Sequence, residues 1–419
     1  MLPPARLTSH LLRFASIAAG IAIFVAPFRA SAGVRGAMLV LAGLALLFVY
    51  RRAGHARFLL PHDMSLAIAV GAWLLSASLW SLLSPSPLES LSIVKRDVLT
   101  PMLAFMVFYA LTRTRADLMR WISIIVAGLV VLTIMIIIEP FDPLATLQQS
   151  DYLTVGLLTT WIVTLAPLLA MLLFAGRRWR VRARVLLAVA LPCLLVSAWL
   201  SGNRTVWVCF ASMLLVALIG STRSRGVTPR RSAGVLAMLL ALLALMLALM
   251  LASMQFRANT QAPTGTGAFT FMLQDNRAPI LRASAEMIAE RPLAGLGYAN
   301  PDMAGTFAAR LEAPWLKNYV QHAHNVVLNH ALQMGLIGAL VILVLFAALA
   351  WTFASRVPVG GLARLAGVCG LALVTGVFLR NMTDDFFSRH TVQFFGAVLG
   401  MLLGLATRRS PLNTRCRGS

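Results

Sequence analysis

The sequence predicts an all-α integral membrane protein with about twelve transmembrane helices and one large periplasmic loop that contains surface helices. Hydrophobic residues make up 59% of the 419 residues and charged residues only 12%, whereas an ordinary soluble domain has roughly 25% charged residues. The apolar residues also stand in long continuous runs, unlike the alternating segments of about ten residues in a membrane barrel. A soluble enzyme, a disordered chain and a membrane barrel are therefore excluded.

Twelve apolar runs approach the roughly 17 to 25 residues that cross a bilayer as a helix. They lie near 12–28, 36–50, 65–84, 97–112, 118–138, 152–175, 184–200, 205–221, 234–256, 326–354, 363–379 and 390–406. The runs at 36–50 and 97–112 are short and need flanking residues or a locally thinner bilayer. We expect transmembrane helices 1–9 over 1–256, a periplasmic loop with an amphipathic helix over 257–325, and transmembrane helices 10–12 with a cytoplasmic tail over 326–419.

Basic residues are distributed unevenly between the two faces that these runs define. With the N-terminus in the cytoplasm, 23 of the 36 Lys and Arg residues lie on the inner face, and every acidic residue except Asp63 and Asp117 lies on the outer face. Lys and Arg concentrate in the cytoplasmic loops of membrane proteins. We therefore expect a multi-pass protein of the bacterial inner membrane with both termini in the cytoplasm. The net charge of +22 then comes from arginines that mark the membrane topology, and we expect no nucleic-acid partner.

The first apolar run has an alternative interpretation as a signal peptide. Arg6 and Arg13, the apolar stretch and Ala30-Ser31-Ala32 resemble such a peptide and its cleavage site. Arg29 directly precedes that site, and a second apolar run follows at once. We therefore expect the first run to be retained as a transmembrane helix.

One predicted outer loop, residues 257–321, is far longer than the others, and a long loop in a compact protein is usually functional. Asp275 or Asn276 can cap a helix within it. Apolar residues at helical spacing follow and end before Arg291-Pro292: Ile280, Ser284 and Met287 in one row, and Leu281, Ala285 and Ile288 in the next. We expect this amphipathic helix to lie along the membrane surface.

Polar side chains gather at the outer face, whereas the apolar runs contain almost no ionisable residues. Ion-coupled transporters usually hold charged residues at membrane depth, so this distribution indicates a reaction or binding event at the outer interface. His322, His324 and Asn325 stand there, just before the tenth run. The strictly apolar part of that run begins near Leu336, which places His324 about three helical turns above it in a straight helix.

His324 is therefore expected at the level of a lipid diphosphate. Imidazole titrates near neutrality, so His324 is the candidate proton-transfer group. The alternative is an interfacial histidine that only bonds backbone or lipid. A His-x-His pattern without a well-placed carboxylate is weak evidence for a metal, and we expect none.

Arginines of the outer face are candidates for binding a phosphate-bearing substrate. Arg204 lies in a tight turn between the seventh and eighth runs, and Arg277 begins the surface helix. Arg291 ends that helix, and Arg380 precedes Asp384-Asp385 in the last outer loop. Guanidinium groups bind phosphate bidentately and keep their charge. Arg204 and Arg277 are thus predicted to bind a diphosphate, with Arg291 and Arg380 in support; the alternative is snorkelling to lipid headgroups.

The order and spacing of these residues resemble the O-antigen ligase family. The resemblance is carried by an arginine near the start of a span, an arginine before a glycine turn, and a histidine pair before a glycine-containing helix: Arg204, Arg277, Pro292-Leu-x-Gly295-x-Gly297, His322-x-His324-Asn325 and Gly335-Leu-x-Gly338. It covers the topology of the whole chain and is specific from about 200 to 340. By position, the family's essential periplasmic histidine falls on His324 and its conserved arginines on Arg204 and Arg277. Ser-His-Asn is common in the family where this chain has Ala323-His324-Asn325.

The resemblance implies a metal-independent glycosyltransferase without a cofactor. It would move a preassembled polysaccharide from undecaprenyl diphosphate to lipid A–core in lipopolysaccharide biosynthesis, acting as a monomer at the periplasmic face. Arg204 and Arg277 would bind the diphosphate, and His324 would activate the acceptor hydroxyl. Asn325 would orient that hydroxyl, and His322, Arg291 and Arg380 would support the site.

Alternatives remain within and beyond this superfamily. An O-antigen polymerase and a protein O-oligosaccharyltransferase differ from the ligase only in the acceptor, and a lipid or glycan transporter is a more distant alternative. The identity of the base is also open, because Asp384 or Asp385 could approach from the last outer loop and take that role.

Overall fold

The structure is a computed structural model that describes residues 4–52, 61, 63–138, 152–173, 180–201, 203–222, 277–311, 320 and 322–407, with isolated residues between 237 and 252. Within these residues the secondary structure is helical and contains no strand. Seven described helices are long and apolar enough to cross a membrane, and three shorter apolar helices accompany them. The predicted all-α membrane class is confirmed for this part of the chain, whereas the count of twelve spans stays a prediction.

The described residues form fourteen α-helices. They are α1 (Pro4–Phe24), α2 (Ala32–Arg52), α3 (Met64–Leu82), α4 (Pro87–Val94), α5 (Thr100–Leu111), α6 (Arg115–Ile138), α7 (Tyr152–Leu173), α8 (Arg180–Ser201), α9 (Arg204–Thr222), α10 (Arg277–Glu290), α11 (Met303–Ala308), α12 (Val326–Ala354), α13 (Gly361–Thr383) and α14 (Arg389–Ala406). A π-helical turn, Lys95–Leu99, joins α4 to α5. The predicted ninth span, 234–256, lies outside the described residues apart from isolated positions.

The two short apolar runs are lengthened by their flanks, as expected. The run at 36–50 becomes the 21-residue α2, which begins four residues earlier and contains a buried Arg35. The Arg35 Nε donates to Gln393 Oε1 at 2.8 Å, so α14 satisfies this charged residue inside the bundle. The run at 97–112 continues the rod that begins with α4.

The helix ends meet in two groups, here called the outer and inner ends of the bundle after the faces that the sequence assigns to them. Hydrogen bonds join the outer ends: Arg35–Gln393, Trp80–Ala294, Thr383–Thr205 and Arg380–Gly156. Others join the inner ends: Arg113–Tyr50, Thr352–Asp63 and Arg364–Gly220. This grouping agrees with the alternating helix directions that the charge distribution predicts.

The close packing of α14 on α5 fixes the loop that precedes α14. Gly396 and Gly404 lie one above the other on α14, and a Cβ at these positions would stand 2.5 Å from the Pro101 carbonyl oxygen and 2.6 Å from that of Thr112. Small residues at helical spacing let two helix backbones approach this closely in a membrane. The start of α14 is thereby held against α5, and residues 384–387 are positioned next to it.

Helix α12 consists of two segments joined by a sharp break. Met334 (φ −130°) and Gly335 (φ 66°, ψ −167°) leave helical geometry, and a Cβ at Gly338 would collide with the carbonyl oxygen of His330. The first segment, 326–333, therefore folds back along the second, 336–354. The left-handed φ of Gly335 is one that glycine adopts at little cost.

The loop after α10 fills this break. The Leu336 N–H donates to the Pro292 carbonyl at 2.7 Å, and the Leu296 N–H donates to the Leu332 carbonyl at 2.8 Å. These bonds pair backbone groups that the break would otherwise leave without partners. The loop and the broken helix thus form one unit.

Helix α10 begins at Arg277 and ends at Glu290, which confirms the predicted end before Arg291-Pro292. Of the two predicted apolar rows, the first is buried and Leu281 of the second is 39% exposed. The buried row packs in a small separate core: Ile280, Ala283, Met287, Met303, Phe307, Leu311, Val320, Ala323 and Leu332. The row thus faces protein, and the position of α10 along the membrane surface stays a prediction. The predicted caps Asp275 and Asn276 lie outside the described residues.

Candidate functional site

The site forms where residues 322–325, before α12, meet residues 384–387, between α13 and α14. Asn325 makes this junction. Its Oδ1 accepts hydrogen bonds of 3.0 Å from the N–H groups of Val327 and Leu328, and its Nδ2 donates to the Met382 carbonyl at 3.0 Å. One side chain therefore caps the start of α12 and ties it to the last turn of α13. The structure gives Asn325 this architectural contact, whereas its predicted role toward the acceptor hydroxyl stays a prediction.

His324 and Asp384 form the central pair of the site. The Nδ1 of His324 lies 2.7 Å from Asp384 Oδ1, and the two side chains are 7% and 1% exposed. A carboxylate at Nδ1 keeps the proton on that nitrogen, so Nε2 becomes the ring nitrogen that can accept one. The arrangement is that of an imidazole base oriented by an acid.

The backbone at His324 is itself unusual. Its φ is 50°, in the left-handed region that residues with a Cβ rarely occupy. Such a conformation costs about 1–3 kcal/mol and persists where the surroundings impose it. Here the cap of α12 on one side and the bond to Asp384 on the other impose it.

Arg380 holds the far side of Asp384. It is completely buried in the last turn of α13, and its guanidinium donates to Thr159 Oγ1 at 2.9 Å and to the Gly156 carbonyl at 3.3 Å. It also lies 3.5 Å from Asp384 Oδ2. Burial raises the pKa of Asp384, but the hydrogen bond to His324 and the charge of Arg380 outweigh burial and hold the pKa below its ordinary value. Asp384 is therefore an ionised carboxylate at neutral pH.

This burial changes the role of Arg380. The sequence suggests an outer-loop arginine that supports diphosphate binding, but a guanidinium with no exposed surface cannot meet a ligand of that size. Arg380 instead fixes Asp384, and through it His324. Thr159 and Gly156 of α7 share this task, and nothing in their sequence surroundings marks them.

His322 packs against His324 from within the same loop, with the two rings tilted by 41°. The ring centroids are 4.3 Å apart, and the backbone N–H of His324 donates to His322 Nδ1 at 3.2 Å. Burial, followed by the neighbouring His324, lowers the pKa of His322. A neutral His322 is consistent with an Nδ1 that accepts a hydrogen bond, so its contact supports the backbone of His324.

The donor atoms of His322, His324 and Asp384 lie within 4.8 Å of one another, close enough to hold a metal ion. The chemistry of this set disfavours a divalent cation. One Asp384 oxygen is bonded to His324 and the other faces Arg380, whose fixed charge would repel the ion at short range. We therefore describe the cluster as a hydrogen-bonded base.

Asp385 is held away from this pair by a second set of bonds. Its Oδ2 accepts a 2.6 Å bond from Asn329 Nδ2, and its Oδ1 accepts a 3.0 Å bond from the Phe387 N–H. Sequence reasoning missed Asn329. Its position one helical turn after Asn325 is the signal that could have found it, because residues four apart share a helix face.

The depth of His324 differs from the prediction, which assumed a straight helix. Asp384 stands three residues before Phe387, whose ring centroid is 5.3 Å from that of Phe346. Phe346 lies about 15 Å along the second segment of α12 from Leu336. The expectation that His324 stands three turns above Leu336 is therefore wrong. Phe346 also contacts Phe378 of α13, with ring centroids 5.0 Å apart, and α13 rises about 9 Å from Phe378 to Asp384. The break in α12 therefore places His324 beside the second segment, between the levels of Leu336 and Phe346.

The four predicted arginines fall into different positions. Arg204 is the half-buried first residue of α9, and the neighbouring Thr205 Oγ1 accepts a 3.1 Å bond from Thr383 Oγ1, next to Asp384. Arg277 is the first residue of α10, which packs against α12, and its side chain lies outside the described part. Arg291 is exposed at the end of α10, beside the break in α12.

Arg310, in the segment after α11, forms an ion pair away from the site. Arg310 makes two 2.7 Å bonds to the carboxylate of Glu290. The bidentate pair raises the pKa of Arg310 and lowers that of Glu290. It joins the end of α10 to the segment after α11.

Part of the chain matches a known protein family. Residues 189–343 match a protein-family model described as O-Antigen ligase. The matched segment runs from α8 into the second part of α12, so it contains Arg204, Arg277 and His324 and stops before Asp384. No curated protein matches the chain.

Proposed function

We propose that the chain is a member of the O-antigen ligase family, whose model matches residues 189–343, and that it transfers a preassembled glycan from undecaprenyl diphosphate to lipid A–core. The observation that carries this proposal is the buried His324–Asp384 pair, with its 2.7 Å bond. It supplies a base whose reactive nitrogen is set by its partner. The family supplies the lipid-linked donor on which such a base would act.

The proposed reaction is a single displacement at the anomeric carbon. Nε2 of His324 takes the proton of the acceptor hydroxyl as that oxygen bonds to the anomeric carbon. The bond from the same carbon to the diphosphate oxygen breaks, and undecaprenyl diphosphate leaves. Attack opposite the leaving group inverts the anomeric centre. Asp384 stabilises the imidazolium that forms, as a carboxylate does in other acid–imidazole pairs.

Arg204 and Arg277 are proposed to bind the diphosphate and to stabilise its growing charge. Diphosphate is a good leaving group, so the reaction needs no nucleotide. Fixed positive charge placed where negative charge develops lowers the barrier without reorganisation during reaction. The backbone of Arg204 lies one residue from the contact to Thr383 and thus close to Asp384.

Asp384 is proposed as a positioning residue and His324 as the base. Both oxygens of Asp384 are engaged, one by His324 and one by Arg380. Its pKa is held below the ordinary value, and a weakly basic carboxylate is poorly suited to remove a hydroxyl proton. The carboxylate that the sequence offers as a rival to His324 thus becomes its partner.

The acceptor decides between the ligase and its relatives. A polymerase would use a second lipid-linked glycan, and a protein O-oligosaccharyltransferase would use a Ser or Thr hydroxyl, with the same base and leaving group. The lipid A–core acceptor, the periplasmic placement of the site and the monomeric state are further parts of the proposal.

Reconstitution with three acceptors tests the proposal. The purified protein in lipid nanodiscs is given undecaprenyl-diphosphate-linked glycan together with lipid A–core, a second lipid-linked glycan or a pilin-like protein. We expect transfer to lipid A–core alone, and no transfer by His324→Ala. Transfer to the second lipid-linked glycan would identify a polymerase, and transfer to the protein would identify a protein O-oligosaccharyltransferase. No transfer to any acceptor would contradict the proposed activity.

A further inference from the structure

A cavity of about 290 Å³ lies between α3, α5, α12 and α14. Its lining is apolar except for Asp63 at one end, and it includes the aromatic side chains of Trp73, Phe105, Phe387 and Phe395. Small-molecule sites in proteins begin at roughly 300 Å³, so the cavity is large enough for part of a ligand. We call it the α3–α14 groove.

The groove is open along α3. Ala67 and Gly71 line it and are exposed, and Met102 and Phe105 of α5 are half-buried opposite them. A Cβ built on Gly71 meets no atom within 4 Å. An opening between two membrane helices faces lipid, so an apolar chain can enter from the side.

One end of the groove is built by residues 384–387, the loop that carries Asp384, the partner of the base. Phe387 lines the groove, with its ring centroid 5.8 Å from that of Trp73 and 5.8 Å from that of Phe395. The N–H of the same residue donates to Asp385 at 3.0 Å. Residues 384–387 therefore present Asp384 to His324 on one side and an aromatic wall to the groove on the other.

The other end points toward the inner end of the bundle. Asp63 caps α3 there and accepts a 2.9 Å bond from Thr352. The ten residues from Asp63 to Trp73 span about 15 Å of helix, which is half of a hydrocarbon core of about 30 Å. The groove thus leads away from the base along the direction that the tail of a lipid takes when its head is at the site.

We propose that the α3–α14 groove binds the first isoprene units of the polyprenyl carrier. The inference rests on the proposed function and assigns the hydrocarbon part of the same donor. A polyprenyl carrier has one chain, which is bonded directly to the diphosphate, so its first isoprene units lie next to residues 384–387 when the diphosphate is at His324. In lipid A–core the hydroxyl that would reach His324 belongs to the core sugars and is remote from the several acyl chains. The remaining isoprene units leave through the opening beside Gly71 into the bilayer.

A filled groove tests the assignment without any transfer reaction. Gly71→Leu places a side chain in open space, so it blocks the groove without displacing protein atoms. Gly36→Leu on α2 is the matched control, because Gly36 also meets no atom within 4 Å and does not line the groove. Binding of undecaprenyl diphosphate without glycan is measured in nanodiscs of phosphatidylethanolamine and phosphatidylglycerol.

We expect Gly71→Leu to weaken undecaprenyl diphosphate binding at least about tenfold and Gly36→Leu to leave it unchanged. Inorganic pyrophosphate, which has no tail, should compete equally well for the head site in both variants. Unchanged undecaprenyl diphosphate binding in Gly71→Leu would overturn the proposal. Because no acceptor is present, failure of glycan transfer in the reconstitution would not alter this result.

Crosslinking identifies the occupant. Benzoylphenylalanine at Met102 is irradiated in the same nanodiscs with undecaprenyl diphosphate and with lipid A–core present. We expect a polyprenyl adduct by mass spectrometry, and we expect it to disappear when the variant also carries Gly71→Leu. Adducts only of phospholipid acyl chains or only of lipid A would overturn the assignment.

Discussion

The Nδ1 of His324 lies 2.7 Å from Oδ1 of Asp384, across 60 residues of sequence. Arg380 lies on the opposite side of the same carboxylate. The three side chains form a line from a buried cation through a carboxylate to an imidazole. Because Asp384 bonds Nδ1, Nε2 is the imidazole nitrogen that can take a proton.

Asp384→Asn should lower kcat for glycan transfer by about 10²–10⁴-fold with little change in KM for the donor. An amide cannot stabilise the imidazolium, although it nearly preserves shape. Asp302→Asn is the control, because Asp302 is an exposed carboxyl beside α11. Transfer kinetics measured together with undecaprenyl diphosphate binding check this prediction. Equal losses of binding and turnover would indicate that Asp384 serves only to hold the fold.

His324→Ala should abolish nearly all transfer while donor binding survives, because the base is lost and the diphosphate ligands remain. His322→Ala should have a milder effect, since His322 only supports the backbone N–H of His324. Single-turnover transfer assays of both variants provide the measurement. Near-wild-type transfer by His324→Ala, combined with loss in Asp385→Ala, would move the base to that carboxylate.

Arg204→Ala and Arg277→Ala should each abolish transfer in protein that still inserts and folds. Lysine at either position should restore activity only in part, because an ammonium group cannot make the bidentate phosphate bond. The control is Arg184→Ala, an exposed arginine near the inner end of α8. Full rescue by lysine at both positions would point to diffuse electrostatic attraction in place of a specific diphosphate site. Donor titrations of each purified variant decide between them.

The stability of the fold should depend on the protonation of His322. Its pKa is lowered from 6.5, first by burial. Below about pH 6.5, His322 therefore binds a proton in the unfolded chain but stays neutral in the folded chain. Stability is therefore complete above that pH and falls as the pH drops toward the lowered value. Asp384 stays ionised in this window because its pKa is also lowered.

Thermal unfolding in detergent at several pH values between about 7 and 5 checks this linkage. His322→Gln keeps an acceptor for the His324 N–H but does not titrate, so its Tm should decline less over the same range. A decline as steep as that of the wild type would assign the effect to other groups.

Gly335→Ala should destabilise the protein by about 1–3 kcal/mol or more. The new Cβ would stand 2.5 Å from the Leu293 carbonyl oxygen, at a residue whose φ is 66°. Gly33→Ala is the matched control, since its Cβ meets no atom within 4 Å. Tm in detergent and resistance to proteolysis between α10 and α12 report the difference. An unchanged Tm would mean that the loop and the break are not coupled.

The sequence predicted the parts of this fold that depend on local pattern. Apolar runs predicted the long described helices, the arginine distribution agrees with the grouping of their ends, and the family resemblance singled out His324 and Arg204. The break in α12 was not predicted, because residues 326–354 have the length and hydropathy of one long helix. Residues 292–296 pair with the backbone groups at the break, and this contact is not visible in the local pattern.

The line through His324, Asp384 and Arg380 depends in the same way on tertiary contacts. Sequence reasoning placed Asp384 near the site but as a competitor for the proton. It placed Arg380 at a ligand-binding surface, whereas packing of α13 on α7 buries it completely. Neither the partner Thr159 nor the orientation of the carboxylate follows from spacing along the chain.

The break in α12 also bears on how much of the proposed glycan donor the protein can enclose. His324 lies inward of Leu336, and the last turns of α3, from Trp73 to Leu82, rise about 13 Å beyond the Phe387 ring that Trp73 contacts. In the proposed reaction, protein then encloses only the sugars nearest the carrier, and the rest of the polymer extends into solvent. We expect such a site to recognise the reducing end of its donor, whatever the number of repeat units.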